Sequence, residues 1–300
     1  MPFAKINGLD TWYDVSTPTR PDAPFVAMTH GFAGPSWLPI VDQFRARFRV
    51  IDYHVRGHGR TTVPEDAAAY SVPQFAADLA GLLDVLDIER AHIAGVSMGG
   101  MISAQFACDY PSRVRSLVLC DTTAGNTDCD DAAGDAEREL VRLFAQLARI
   151  VEKHGLAGLV ERENRYRREQ DPHAATSVQS LDEQDSKNNL KLVEMTDRGY
   201  LLANRALRER PDLTHRTPGI TAPTLVSCGE WDMFYPCAQR DHRLMANSRM
   251  ATIRHAAHAT PDYQPELWKR AVFDFIDDVE AGRDVRGEVE YAPEPAERAT

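Results

Sequence analysis

The sequence lacks any apolar run of the roughly 20 residues needed to cross a bilayer. It also has no run of basic residues, and its net charge of −11 disfavours a nucleic-acid partner. The N-terminal "MPFAKINGLD" has no positive region leading into an apolar core, so it does not read as a signal peptide. Cysteine is sparse. Cys108, Cys120, Cys129, Cys228 and Cys237 are odd in number, scattered and without CxxC spacing, which suits free thiols in a reducing compartment. These absences lead us to expect a cytoplasmic protein without a membrane partner. Metal-ligand spacing is missing too: "HVRGH" (His54, His58) lacks the glutamate that a zincin motif requires after its first histidine. No metal and no cofactor are expected.

What is present is a soluble balance of 43% hydrophobic and 26% charged residues over 300 positions, enough for one large domain or two modest ones. Short, unalternating apolar runs recur: "FVAMTH" (25–30), "RVIDYHV" (49–55), "AHIAGV" (91–96), "SLVLCD" (116–121) and "PTLVSCG" (223–229). Such runs suit strands buried on both faces, as in a parallel sheet. "FAKING" and "LDTWYDV" suggest a preceding hairpin turning at Asn7-Gly8. Helical spacing lies between the runs, as in 71–88 (Phe75, Leu79, Leu82, Leu83, Leu86), with Ser71 as cap, and again in 266–279. The alternation predicts an α/β fold. It breaks from about Gly125 to Pro218, a polar, helix-patterned segment in which 136–155 is amphipathic and Gly155 reads as a stop. We therefore expect a core over 1–124 and 219–280, a helical cap over 125–218, and an extension of uncertain order over 281–300.

"AHIAGVSMGGMISAQFACDYP" (91–111) carries the strongest chemical signal. Gly95-Val96-Ser97-Met98-Gly99 stands between a strand and a helix. A turn that sharp needs small residues two before and two after the serine, and it exposes the hydroxyl. Here the chain resembles the α/β-hydrolase superfamily, and among its branches the serine esterases and enol-lactonases of the 3-oxoadipate type. "HGFAG" (30–34), "RGHG" (56–59), "GVSMGG" (95–100), "GEWDMFYP" (229–236) and "AAHATPDYQPE" (256–266) carry the resemblance, in the family's order. It implies a mostly parallel central sheet of about eight strands flanked by helices, with the cap inserted between core strands.

The resemblance also implies roles. Ser97 is the nucleophile and Asp232 the acid, with Asp121 as the competing candidate; Glu230, two residues earlier, is aimed differently. His258 is the base, because the family's Pro-Glu seven and eight residues later is matched by Pro265-Glu266. His255 then becomes a packing or surface residue. Backbone N–H groups of Phe32 and Met98 form the oxyanion hole, and His30 braces the first loop. Trp37, Trp231 and Phe234 are candidates for the substrate pocket. Two positions depart from the pattern: His54 replaces an aspartate, and Ala257 replaces a glycine before the base. The expected reaction is cofactor-free hydrolysis of a small carboxylic ester or lactone. Carbon–carbon hydrolysis, acyl transfer, and a ligand receptor on the same scaffold are the alternatives. In "ERENRYRREQ" (161–170), Arg162, Arg165, Arg167 and Arg168 with Tyr166 read chiefly as a solvated helix face with pairs such as Glu161–Arg165, and otherwise as a carboxylate clamp. Members of this branch often dimerise, which leaves a homodimer open.

Overall fold

The computed structural model describes residues 2–18, 20, 22–34, 40–125 and 129–293. Among these, nine strands form one sheet in the order β1-β2-β4-β3-β5-β6-β7-β8-β9. β1 (Phe3–Ile6) and β2 (Leu9–Val15) make the antiparallel hairpin, and β2 pairs antiparallel with β4 (Arg49–Tyr53). The hairpin turn falls on Asn7 and Gly8, both at positive φ (48° and 84°), as a two-residue turn of this hand requires. From β4 outward, β3 (Phe25–Thr29), β5 (Ala91–Val96), β6 (Val114–Cys120), β7 (Thr224–Gly229), β8 (Ser248–Ile253) and β9 (Gly287–Tyr291) are mutually parallel.

The unalternating strand sequences are explained by the two layers they serve. Ala27, Ile51, Ile93, Leu117 and Leu119 face one apolar layer with α2 (Val72–Val85) and α3 (Met98–Asp109). Their neighbours Val26, Met28, Val50, Ala94 and Val118 face the other, against Phe44 of α1 (Val41–Arg47) and Trp268, Val272 and Phe275 of α10 (Pro265–Glu280). Period two therefore gives burial on both sides, and no polar alternation survives. Ser71 caps α2 by accepting from Gln74 N at 3.2 Å.

The sheet has one strand more than the eight expected. The additional strand, β9, comes from the charged 281–300 segment and pairs with β8 from Arg249↔Gly287 to Ile253↔Tyr291. Its "GEVEY" is too short and too acidic to stand out in a sequence. It is held by the Tyr291 ring, which is buried, donates from its hydroxyl to Asp274 at 3.2 Å and lies under Arg270 at 5.2 Å.

Between β6 and β7, the described residues hold helices and no strand: α4 (Ala132–Glu169), α5 (Leu181–Asn189), α6 (Lys191–Glu194) and α7 (Asp197–Arg208). Gly155 does interrupt α4, at φ 66° and ψ 178°. The helix resumes at once because Asp197 Oδ1 accepts from Leu156 N at 2.9 Å and starts the next turn. No helix of the described residues is long and apolar enough to cross a membrane.

A buried ionic knot ties α4 to the sheet. Glu137 accepts from Arg210 at 2.5 Å and from Arg240 at 3.4 Å, and also binds Thr123. Arg240 pairs with Asp241, whose other oxygen accepts from Ala124 N at 2.7 Å, just beyond β6. Removing one partner from such a cluster strands the others without water. Glu137→Ala should therefore lose about 3 kcal/mol or more of unfolding free energy, measured by denaturant titration. A change within experimental error would show that the arginines find other partners.

Candidate active site

β5 delivers Ser97 at the carboxyl edge of the sheet, and α3 begins at Met98. Ser97 sits at φ 53° and ψ −117°, a conformation that a non-glycine residue adopts only under constraint. The constraint is steric and two-sided. A Cβ on Gly95 would lie 2.1 Å from Gly99 O, and one on Gly99 would lie 2.0 Å from Thr29 O. Ser97 N donates to Cys120 O at 2.9 Å, and Thr122 Oγ1 donates to Ser97 O at 2.8 Å, so β6 holds the turn from the other side.

His258 follows β8, and its Nε2 lies 3.0 Å from Ser97 Oγ. Its Nδ1 lies 3.1 and 3.0 Å from the two Asp232 oxygens. Asp232, in the turn after β7, is itself fixed by accepting from Phe234 N at 3.1 Å. The serine, histidine and aspartate thus form one hydrogen-bonded chain across three loops. His255 stays outside it: it is exposed, at φ 58°, with its N–H bonded to Glu230 Oε1 at 2.6 Å. Glu230 also pairs with Arg254 at 3.1 Å, which accounts for the second carboxylate of the loop.

Asp121 is fully buried at the end of β6, at φ 47°. It does not touch the histidine. Oδ1 accepts from Gly229 N at 3.1 Å and from Thr260 Oγ1 at 2.7 Å, and Oδ2 accepts from Thr260 N at 2.5 Å. One carboxylate therefore joins the ends of β6 and β7 to the loop two residues past His258. Burial pushes it up to about 6, helped by Asp232 nearby and opposed by His258 and Thr260. On His258, burial works against the charged form. The Asp232 carboxylate, by its charge and its hydrogen bond, together with Asp121 and Asp262, outweighs it and raises the imidazole to about 9. The ring is enclosed by the protein on most sides, yet 44% of its side chain remains accessible from the pocket. Asp121, Cys228 and Asp232 also bring ligand-type atoms within 4.8 Å of one another, the one such grouping among the described residues. Both carboxylates already accept backbone N–H groups, and burial pushes the Cys228 thiol well up, leaving it a poor ligand.

The loop after β3 is braced from below. His30 Nδ1 donates to Gly31 O at 2.8 Å, and its Nε2 accepts from Val55 N at 3.0 Å. Burial drives this histidine down to about 4, so it stays neutral and fills both roles. His54, which stands where the resemblance expects an aspartate, instead accepts from Arg60 N at 2.9 Å and packs on Trp12 with ring centroids 4.2 Å apart. The loop's Arg56 makes a buried two-pronged pair with Asp78, both contacts at 2.7 Å.

A cavity of about 460 Å³ opens onto Ser97 and His258. Phe32, Phe144, Leu140, Leu143, Leu147 and Phe234 form its apolar wall. Glu163, Arg167, Lys187 and Lys191 supply charged groups. Met98 is buried at the start of α3, beside the serine. Phe234 lines the cavity as expected, but Trp231 does not. Its indole is stacked between His173 (4.4 Å, 17°) and His255 (5.7 Å, 10°), which turns it away from the pocket. Trp37 lies outside the described residues. Of the arginines, Arg165 pairs with Glu161 at 2.6 Å on the exposed face, and Arg168 with Asp185 at 2.6 Å. Only Arg167 reaches the cavity lining, where Asp185 binds it at 2.5 Å. Leu140, Phe144 and Leu147 carried a signal in the sequence, a helical i, i+4, i+7 stripe, but such a stripe reads equally as core.

Residues 24–241 match the family described as alpha/beta hydrolase fold, and the chain belongs to that family. It is 30% identical over 258 residues to a putative 2-succinyl-6-hydroxy-2,4-cyclohexadiene-1-carboxylate synthase of Bacillus subtilis, covering 84% of this chain and 89% of the relative. It is 27% identical over 260 residues to a putative carbamate hydrolase, RutD, of Escherichia coli, covering 85% and 91% respectively. Among solved structures, the enol-lactonase of Burkholderia xenovorans superposes with a TM-score of 0.76 at 23% identity, over 92% of this chain and 100% of the other. A thermophilic esterase of Thermogutta terrifontis gives 0.71 at 25% identity, over 92% and 97%.

The serine turn makes a direct prediction. Gly99→Ala should lower stability by about 3 kcal/mol, because β3 backbone must retreat. Gly219→Ala, which would meet nothing within 4 Å, should leave the melting temperature near wild type. Equal melting temperatures for the two variants would contradict the steric account.

Proposed function

We propose that the protein is a serine hydrolase that cleaves a small carboxylic ester or lactone through an acyl-enzyme. The observation that carries this reading is the unbroken chain from Ser97 Oγ to His258 Nε2 (3.0 Å) and from His258 Nδ1 to Asp232 (3.0 Å) at the floor of the cavity. His258 takes the serine proton as Ser97 attacks the carbonyl, and Asp232 holds the imidazole in the tautomer that can accept it. The backbone N–H groups of Phe32 and Met98 hold the oxyanion, and His258 then activates water to release the acid. No cofactor takes part. The cap, read as 125–218, supplies most of the pocket wall. The enol-lactonase, esterase and carbamate hydrolase names among its likenesses support hydrolysis at a carbonyl. The synthase name of the Bacillus relative makes a second reading worth testing, in which His258 works as a base and no acyl-enzyme forms.

A fluorophosphonate probe should label Ser97, and Ser97→Ala should cut p-nitrophenyl ester hydrolysis by at least about 10³-fold. His258→Ala should do the same, and His255→Ala should not. An unlabelled native enzyme that still turns over substrate would sink the acyl-enzyme and favour the base-only reading.

The pH dependence follows from the carboxylates around the base. His258 is raised to about 9, and only its neutral form accepts the serine proton. The sign is therefore fixed: kcat/KM should climb with pH through the alkaline range, with its acidic limb well above the ordinary histidine value of 6.5. A limb at or below 6.5 would show that the carboxylates do not bear on the base as described.

A further inference from the structure

The four-residue helix α9 (Thr260–Tyr263) starts two residues after His258 and is gripped by the α4–α7 segment at three points. Ser177 Oγ donates to Asp262 O at 3.3 Å, and Val178 N donates to Tyr263 O at 3.2 Å. The third contact is ionic: Lys187 of α5 closes on Asp262 Oδ2. The pair is largely shielded, with side chains only 22% and 16% exposed, and Asp262 Oδ1 is buried with no hydrogen-bond partner. Both residues line the cavity.

Asp262 acts on His258 through space, as do Asp232 and Asp121. Three carboxylates thus favour the protonated, catalytically idle form of the imidazole, and one of the three faces a cation from another part of the chain. The other charges lining the cavity are largely spent on each other or on neighbours: Lys191 on Glu163 at 2.6 Å, and Arg167 on Asp185 at 2.5 Å. Asp171 lines the cavity beside Tyr263. The thiols of Cys120 and Cys228, packed against the two inner aspartates, are driven up by burial and stay neutral.

We propose that Lys187 is a positioning residue for His258: by neutralising Asp262 it frees the base to work, and it does so only while α5 is seated on α9. The proposal rests on the reading of His258 as general base. Its physical content is a linkage between the helical insertion and the chemistry. With Lys187 in place, its cation opposes the Asp262 charge at the imidazole and offsets part of it. With α5 withdrawn, the ionised Asp262 carboxylate loses this counter-charge, and His258 holds its proton more tightly. An enzyme with α5 lifted would then need a still higher pH to hold His258 neutral and able to activate Ser97. A substrate that fills the cavity and keeps α5 down would in the same act keep the base available.

The test reads His258 itself as well as turnover. Lys187→Met, Lys187→Arg, Asp262→Asn and the Lys187→Met/Asp262→Asn double variant are prepared. The His258 imidazole is titrated by NMR, assigned with His258→Ala, alongside the pH profile of kcat/KM on a p-nitrophenyl ester. Lys187→Met should move the His258 midpoint and the acidic limb of kcat/KM up by about half to one pH unit, and Asp262→Asn should move both down by a similar amount. Lys187→Arg should restore wild-type values, and the double variant should fall between the two single variants, near wild type, because it removes both charges of the pair. If Lys187→Met lowers kcat/KM equally at every pH and leaves the NMR midpoint in place, the pair is a structural clip and the proposal fails. If the NMR midpoints move as stated but the limb of kcat/KM does not follow, the electrostatic linkage stands and the reading of His258 as base is what fails.

Discussion

The Asp121 carboxylate accepts from Gly229 N, Thr260 N and Thr260 Oγ1, and these three bonds set where the loops after β6, β7 and β8 can lie. The Ser97 turn depends on the same strand end, since Ser97 N is bonded to Cys120 O, one residue earlier. Burying an acidic side chain costs it its solvation, which pushes Asp121 up to about 6. That cost is offset by three donors that would otherwise be buried without partners. The Ser97, Asp232 and His258 loops come from distant parts of the chain, and Asp121 is bonded next to each of them.

Much of this is legible in the sequence itself. The buried strands showed as continuous apolar runs because helices cover both faces of the sheet. Ser97 stood out because a strand reversing into a helix tolerates only glycine at 95 and 99. The count back from Pro265-Glu266 separated His258 from His255, and the structure brings only His258 to Ser97 and Asp232. What stayed hidden shares a cause. Asp121 read as a second candidate for the acid, because its true partners lie 108 and 139 residues away and leave no local trace. Trp231 read as a pocket residue, because an aromatic beside a motif loop does not reveal which ring it will stack on. β9 was invisible because its hydrogen bonds, rather than its composition, make it a strand.

Charge is distributed in the same spirit. The exposed pairs of the helical segment, such as Glu161–Arg165, contribute little beyond helix content. The enclosed ones do more. Glu137 with Arg210 and Arg240 anchors one end of α4 to the loop after β6, and Lys187 with Asp262 anchors α5 to the helix after His258. The helical segment between β6 and β7 is thus fastened to the rest of the molecule by ions as well as by apolar contact, and one of the enclosed fastenings, Lys187–Asp262, lies four residues from His258.

The break at Gly155 divides α4 into two short rods that meet the cavity with different surfaces. The rod before it contributes Leu140, Leu143, Phe144 and Leu147, and the rod after it contributes Glu163 and Arg167. A single break in the helix therefore gives one continuous stretch of chain both the greasy side and the ionic side of the chamber. A substitution in one rod would alter one kind of wall and leave the other kind in place.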